Sequence, residues 1–582
     1  MILYFRVWFS RAGVGRRPTK VALVQCPVWW TTDPPLGLAQ LAGALKAAGH
    51  DVDVFDLSIE LFRVRGPAYE NAWAWEQFAF WQDPAWTAAC FRDHASFWDA
   101  AVARIARSDA AVVGFAAFLG SLRSTLEVAR RVKEAAPDKK IVLGGEYFFF
   151  GDKAAEVLAE PCVDAVVTRA ADFTLPDLVA SLVETGRLQP CPGALVKVDG
   201  APVWGGERPE ETRLDSLPFA DYTAFPLYLY DDENRIPMAA SRGCIRRCAF
   251  CSTRAFWEGY GYMSGDRIFA EVAHHRKLFP DRRHVEFYDI TANGDVPSLE
   301  RFAERVIESG LDITWKINAV IRPEMTREVL DKMAKSGCIS IIYGVESGSE
   351  KVLRLMRKGY TPEVADRVLK DTHEAGIKVT GNFMFGFPGE TEDDFRQTLD
   401  FLRRNHRYLD RVYPSRTFTA LEEHASLFEH PEQFGVKIDP DKPTNLYWET
   451  EDGTNDFLVR LRRCEAFCRL AVELGCSVEK GLEADLELDR WLSLGGYHEY
   501  RGEHDKAVDA YLRYAELDLL NGAVQGKLRE YDRRLRAALR GRRVDEAAAD
   551  RALLKRVRAT LAQAALERKA EAPAAAAFTG AR

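Results

Sequence analysis

The sequence contains no run of about 20 consecutive apolar residues, so no membrane-spanning helix is expected. It also lacks a strong charge bias. Its 79 Lys and Arg against 87 Asp and Glu leave a formal net charge of -8, with a pI near 5.9. That balance gives no general attraction to nucleic acid or to a membrane surface. The N-terminal MILYFRVWF is short, and Arg11, Arg16 and Arg17 follow it rather than precede it. That order is wrong for a secretory signal. The 11 cysteines are odd in number and scattered along 582 residues. They do not form a disulfide framework, and they point to a reducing compartment, the cytoplasm. Apolar residues make up 47% and charged residues 29%, as in ordinary globular proteins. The length implies two to four domains with sizeable cores.

What is present centres on Ser241-Arg242-Gly243-Cys244-Ile245-Arg246-Arg247-Cys248-Ala249-Phe250-Cys251. Three cysteines stand in a CxxxCxxC spacing after the apolar run Ile236 to Ala240, which reads as a strand end. Thiolates are strong ligands for iron–sulfur clusters. Three ligands in one short loop leave one iron of a cubane cluster open to bind and activate a small molecule. Zinc is the competing ligand, but structural zinc sites are closed by four ligands, usually built from CxxC pairs. No second pair follows at that distance.

At these residues the chain resembles the radical S-adenosylmethionine (SAM) enzymes, whose signature is CxxxCx(aromatic)C, with Phe250 at the aromatic position. The resemblance implies a 4Fe–4S cluster on Cys244, Cys248 and Cys251, with SAM on the open iron. It implies reductive cleavage of SAM to a 5′-deoxyadenosyl radical that abstracts hydrogen from substrate. An electron donor such as a flavodoxin or ferredoxin is expected with it. A solvent-accessible cluster suits an anaerobic or well-reduced cytoplasm.

Upstream, strand-like and helix-like patterns alternate from Lys20. Strands are expected at Val21–Gln25, Val52–Asp56, Ala110–Phe115, Ile141–Gly145 and Ala165–Val167. Helices are expected after Pro34-Pro35-Leu36-Gly37, near Ser124–Ala135 and around Pro176–Val183. Such alternation implies a doubly wound parallel sheet, with ligands outside the carboxyl ends of its strands. The runs Asp33 to Asp56 and Ile141 to Phe148 resemble the Rossmann-like cobalamin-binding domain found upstream of the cluster motif in one radical SAM subfamily. The resemblance places cobalamin against Pro35, Leu36, Gly37, Gly114, Gly144, Gly145 and Glu146. Small residues there let a flat corrin approach the backbone. The subfamily often has a proline and a histidine after the paired glycines, where this chain has Glu146, Tyr147 and three phenylalanines. A flavodoxin-like domain without the cofactor is the alternative. The aromatic stretch Tyr69 to Trp98 is expected to be core, or else a wall against an apolar ligand.

Asp371-Thr372-His373-Glu374-Ala375-Gly376 matches DxHxxG, the motif whose histidine becomes a lower cobalt ligand. It falls at a helix end capped by Gly376, so His373 is expected to be no ligand.

The pattern resumes with strands at Val285–Asp289, Thr314–Asn318, Ile339–Val345 and Lys378–Phe385, and intervening helices, as in a partial (βα) TIM-type barrel. Its chemistry belongs at the C-terminal strand ends. Asp289, Asn293, Asn318, Arg322, Glu346, Ser347 and Asn382 stand there. The runs Gly344 to Glu363 and Gly381 to Thr391 resemble the cobalamin-dependent branch, which implies a SAM site at or near Phe250, Asp289, Asn318, Glu346 and Ser347.

The expected layout is therefore α/β. A Rossmann-like cobalamin-binding domain spans 1–205, a linker 206–235 and the radical SAM barrel 236–430. A helical accessory region spans 431–570, with one tetratricopeptide-like hairpin around Trp491 to Tyr511, and a disordered tail spans 571–582. Cys464 and Cys468 stand one helical turn apart and are expected to be idle helix residues. The expected activity is C-methylation of an unactivated carbon of a small molecule or peptide. A cobalamin-associated oxidative cyclase or ring-rearranging enzyme is the alternative, followed by a non-catalytic cobalamin sensor. A methylthiotransferase is disfavoured, because neither a further N-terminal cluster nor a small RNA-binding β domain is evident.

Overall fold

A computed structural model of the protein describes residues 19–577, apart from 71, 150, 440, 442–443, 479–482, 520–523, 525, 530, 533–535 and 537–547. The hydrophobic start of the chain, with Arg11, Arg16 and Arg17, lies outside the described residues. The chain divides into two compact units. One takes in residues up to 245, 256–318 and 332–339, and the other 246–255, 319–331 and 340 onward.

The first unit opens with a doubly wound sheet. β1 (Lys20–Gln25) is buried along almost its whole length, which is why it reads as an unbroken apolar run. α1 (Leu36–Ala47) follows the two prolines, and Gly49 (φ +87°) turns the chain back into β2 (Asp51–Asp56). α2 (Leu57–Val64), α3 (Pro84–Asp93) and α4 (Ala95–Arg107) lead to β3 (Val112–Ala116). α5 (Leu122–Ala135), β4 (Lys140–Gly144), α6 (Gly151–Leu158), β5 (Ala165–Val167) and α7 (Thr174–Thr185) complete the alternation. A hairpin of β6 (Ala194–Val198) and β7 (Ala201–Trp204) then adds two antiparallel strands that the sequence pattern does not announce. The sheet order is β2-β1-β3-β4-β5-β6-β7. The chain winds one way from β1 to β2 and the other from β3 onward, so the topological switch lies between β1 and β3, where such sheets hold ligands.

The aromatic segment is core. Trp73, Phe78, Trp81, Phe91 and Trp98 are buried together with β1 and β3. Phe91 stacks on Trp98 with centroids 4.1 Å apart, and the Trp81 indole donates to Ala72 O at 2.8 Å. Residues 206–235, expected as a linker, run pinned along this domain. Asp221 N donates to Ala39 O at 2.8 Å and Asp231 N to Thr31 O at 2.9 Å. The buried Tyr230 hydroxyl donates to Asp56 at 2.7 Å.

β8 (Arg235–Met238) next begins a second parallel ladder. β9 (Ser241–Gly243) pairs antiparallel with β10 (Tyr260–Tyr262). α8 (Gly265–Leu278), β11 (His284–Phe287), α9 (Val296–Ser309) and β12 (Thr314–Ala319) follow. β11 pairs in parallel with β8 and with β12.

The second unit carries β13 (Cys338–Glu346) from Ser340 on, α10 (Glu350–Leu355), α11 (Pro362–Glu374), β14 (Lys378–Phe383), α12 (Glu392–Asn405) and β15 (Arg411–Pro414). α11 ends as expected. Gly376 (φ +88°) closes it, and His373 faces Asp410 at 3.7 Å on the surface. Beyond 431 the chain is helical with two short ladders set into it. Val436–Lys437 pairs with Glu449–Thr450, and Ser477–Val478 joins β15 in parallel. α13 (Phe457–Glu473) packs Phe467 on Phe383, with centroids 4.5 Å apart, and buries Cys464 and Cys468. α14 (Glu483–Arg501) and α15 (His504–Leu517) form the expected hairpin. A single repeat cannot bury its own apolar face. Here Leu553 and Val557 of α16 (Ala548–Ala577) join Ala507, Tyr511 and Leu512 in one cluster. The tail expectation is corrected over 571–577, which extend α16 because alanine is the strongest helix former. Residues 578–582 lie outside the described ones.

Candidate active site

In the first unit the strand ends at the switch point open into a cleft of about 270 Å3. Gln25 ends β1 beneath it, Ala116 ends β3 with Ala117 next, and Gly144 ends β4 with Gly145 and Glu146 next. Pro35 and Gly37 line it from the start of α1, where Pro35 caps the helix without a side-chain hydrogen bond. Gly145 has φ +117°, and a Cβ there would stand 2.4 Å from Ala117 O, so only glycine lets the β4 loop lie this close to the β3 loop. Burial pushes the Glu146 carboxyl up.

Five of the seven residues expected against cobalamin line this cleft: Pro35, Gly37, Gly144, Gly145 and Glu146. The other two do not. Gly114 lies one layer deeper, beside a void of about 30 Å3, where a Cβ would meet Leu23 at 3.2 Å. Leu36 is absent from the lining because the first turn of α1 presents Gly37 and Leu38 instead.

Sequence reasoning missed the far wall. Arg242 lies there, and its guanidinium makes two hydrogen bonds to Asp172, at 2.7 and 2.8 Å. It reaches Gln40 Oε1 at 3.3 Å and stands 5.7 Å from the Trp257 ring centre. Burial alone would raise the Asp172 carboxyl, but Arg242 outweighs it and holds it below the usual carboxylate range. Both residues line the cleft. Arg242 sits two positions before Cys244, the first motif cysteine. Gly243 between them has φ +77°, and a Cβ there would stand 2.3 Å from Gly259 O.

The strand leading to Cys244 is held from its other side by Asp289. That carboxylate is buried and accepts from Ala240 N at 3.1 Å and from the Ser241 hydroxyl. Burial pushes it up to about 6. Asn318 Nδ2 donates to Asp289 O at 3.0 Å. Asp289 and Asn318, expected near SAM, are thus tied to the loop that carries the first cysteine. Asn293 is buried nearby in the chain, on the turn after β11. The Cys244 sulfur lies 3.0 Å from the Thr291 hydroxyl.

In the second unit, Cys248 and Cys251 share a turn in which Cys251 N donates to Cys248 O at 3.2 Å. Ala249 N donates to Met356 O at 3.0 Å, which docks that turn on the run after α10. Phe250 packs on Phe387, and Lys358 Nζ stands 5.9 Å from its ring centre. Lys358 is buried and pairs with Glu346 at 3.0 Å. A β-bulge at the end of β13 re-aims Glu346, which has φ +64°. Ser347 faces inward, 3.1 Å from the Thr398 hydroxyl, and accepts from Ser349 N. Arg322 pairs with Glu324 at 3.0 Å, and Asn382 lies opposite Gly344 in the ladder. Among the described residues no three Cys, His, Asp or Glu side chains stand together as a metal site. None of the three motif cysteines is in a disulfide. It is the thiolate chemistry and the CxxxCxxC spacing of the three cysteines that suit an iron–sulfur cluster.

Residues 238–402, which contain the cysteine loop and the strand ends just described, match the family model of the radical SAM superfamily. The chain carries a radical SAM domain over those residues. It is an enzyme of a group that works with a 4Fe–4S cluster and SAM. An uncharacterised methyltransferase of Pyrococcus horikoshii is 26% identical over 396 residues, covering 66% of this chain and 76% of that protein. Two solved structures share its architecture. The cobalamin-dependent radical SAM enzyme OxsB aligns with a TM-score of 0.58 at 15% identity, over 95% of this chain and 80% of its own. The radical SAM methyltransferase TsrM of Kitasatospora setae aligns with a TM-score of 0.55 at 16% identity, over 85% of this chain and 99% of its own. At these identities the likeness shows the fold, an architecture shared with those two structures. No helix among the described residues is long and apolar enough to cross a membrane.

Proposed function

We propose that this radical SAM enzyme binds cobalamin in the cleft and methylates an unactivated carbon of its substrate. One observation carries the reading. Arg242, two residues before the first motif cysteine, forms the wall of the switch-point cleft through its paired bonds to Asp172. The segment that begins the cluster loop is thus also part of the switch-point cleft. A methyl-carrying corrin has to stand near the site of radical formation, and this arrangement serves that need. The methyltransferase among the relatives supports methylation over cyclisation or rearrangement.

In this reading Cys244, Cys248 and Cys251 hold the cluster, and Pro35, Gly37, Gly144, Gly145 and Glu146 lie against the corrin. When bound, cluster and SAM supply a 5′-deoxyadenosyl radical, and cobalamin supplies the methyl group. The glycines keep the strand ends flat enough for a planar ring. Glu146, its carboxyl pushed up by burial, lines the cleft just after β4. Lys358 and Glu346 pair with one another beside Phe250. A low-potential donor such as a flavodoxin or ferredoxin supplies the electron. Residues 1–205, 236–430 and 431–570 serve as cobalamin domain, radical domain and helical accessory region.

Anaerobic reconstitution with iron, sulfide and cobalamin, followed by SAM and a strong reductant, tests the activity. Both 5′-deoxyadenosine and S-adenosylhomocysteine are expected. 5′-Deoxyadenosine alone would favour a cyclase or rearrangement and overturn the methyl-transfer assignment.

A further inference from the structure

Resting on the radical SAM reading, we infer that Thr291 sets the reduction potential of the cluster through a hydrogen bond to the sulfur of Cys244. The two atoms are 3.0 Å apart. In the free protein either could donate. A cysteine that ligates iron is a thiolate and has no proton, so the bond then runs from the threonine hydroxyl to sulfur. Thr291 is 1% exposed, so water does not compete for that hydroxyl.

Its position is fixed from two directions. The Thr291 carbonyl accepts from the Ser241 hydroxyl at 3.1 Å and from the Tyr260 hydroxyl at 3.2 Å. Ser241 lies on the strand running into Cys244, and Tyr260 on the strand paired with it. The same antiparallel pair that places Cys244 thus places its hydrogen-bond donor. Reduction adds negative charge to the cluster and its sulfurs. A donor aimed at one sulfur stabilises the reduced form more than the oxidised form and raises the potential. Thr291 is a positioning and tuning residue, since it acts on the reaction through Cys244.

Cys251 offers an internal comparison. Its sulfur lies 3.1 Å from the Thr253 hydroxyl. Thr253 is partly exposed, so water can replace that hydroxyl when it is removed.

The test is a redox titration of the reconstituted full-length enzyme, followed by the electron paramagnetic resonance signal of the reduced cluster, for wild type, T291V, T291S and T253V. Valine keeps the shape of threonine without the donor. T291V is expected to lower the midpoint, so that at a fixed donor potential the reduced-to-oxidised ratio falls about tenfold, equivalent to about 59 mV for one electron. T291S should keep the wild-type midpoint, and T253V should shift it less than T291V. A wild-type midpoint in iron-loaded T291V, or an equal shift in T291S, overturns the assignment. So does a T291V protein that folds but loads no iron while T291S loads fully, because the hydroxyl would then only hold Cys244 in place. Failure of the wild-type chain to assemble a cluster would instead overturn the radical SAM reading itself.

Discussion

Asp172→Ala removes one side of the pair that forms the cleft wall. The two side chains are only 10% and 13% exposed, and both Asp172 oxygens are bonded to Arg242. The substitution leaves a buried guanidinium with Gln40 at 3.3 Å and the Trp257 ring as its remaining neighbours in the cleft. Breaking such a pair from one side costs about 3–5 kcal/mol, because an uncompensated charge stays buried. For a unit of more than 200 residues that corresponds to a fall of roughly 10 °C in the melting midpoint. Replacing both partners by apolar residues, as in the double variant D172L/R242M, removes the buried charges together and should restore most of the stability. It should not restore the tie to the Cys244 segment. Thermal unfolding by circular dichroism of wild type, D172A and the double variant therefore separates folding from function, with S-adenosylhomocysteine formation measured on the same samples. The pair also has a pH signature. Asp172 is depressed in the folded protein, so its contribution is complete above the ordinary Asp value of about 4 and is lost as pH falls through the folded value. If D172A melts within a degree or two of wild type, or the double variant retains full activity, the reasoning about this wall is wrong.

Three further outcomes follow from the same geometry. Gly145→Ala puts a Cβ 2.4 Å from Ala117 O at φ +117°, which costs about 1–3 kcal/mol of backbone strain and should weaken cobalamin binding in a spectrophotometric titration. Cys248→Ala should abolish reductive SAM cleavage, and continued 5′-deoxyadenosine formation would sink the ligand assignment. Asp289 is raised to about 6 in the folded protein, so its contribution to stability declines by about 3 kcal/mol as pH rises from about 4 to 6. Asp289→Asn still accepts from Ala240 N and Ser241 and should lack that slope in denaturant titrations at pH 4, 5, 6 and 7.

Much of the fold was legible because its strands are parallel and buried. Continuous apolar runs such as Val21–Gln25 and Ile141–Gly145 mark themselves, and the strong periodicity of helices such as Val296–Ser309 does the same. The hairpin of β6 and β7 was not legible. Its second strand is exposed along its whole length, so no alternation of apolar and polar residues betrays it. The cysteine loop was legible from spacing alone. The cleft floor was partly so: the small residues at Gly144 and Gly145 signal a close approach, whereas Gly114 carries the same signal for ordinary packing against Leu23. Arg242 stands just before the motif, and Asp172 within a strand-end loop that the topology marks. Their pairing spans 70 positions and leaves no local trace. Thr291 escaped for the same reason, since a lone threonine after a strand is most often a turn residue.

The most direct measurement of the central claim is a metal count on the reconstituted, desalted full-length chain by mass spectrometry. The account predicts about four irons and about one cobalt per chain, with a C244A/C248A/C251A variant losing the iron and keeping the cobalt. No retained cobalt in the wild type, or iron retained by the triple variant, would contradict it.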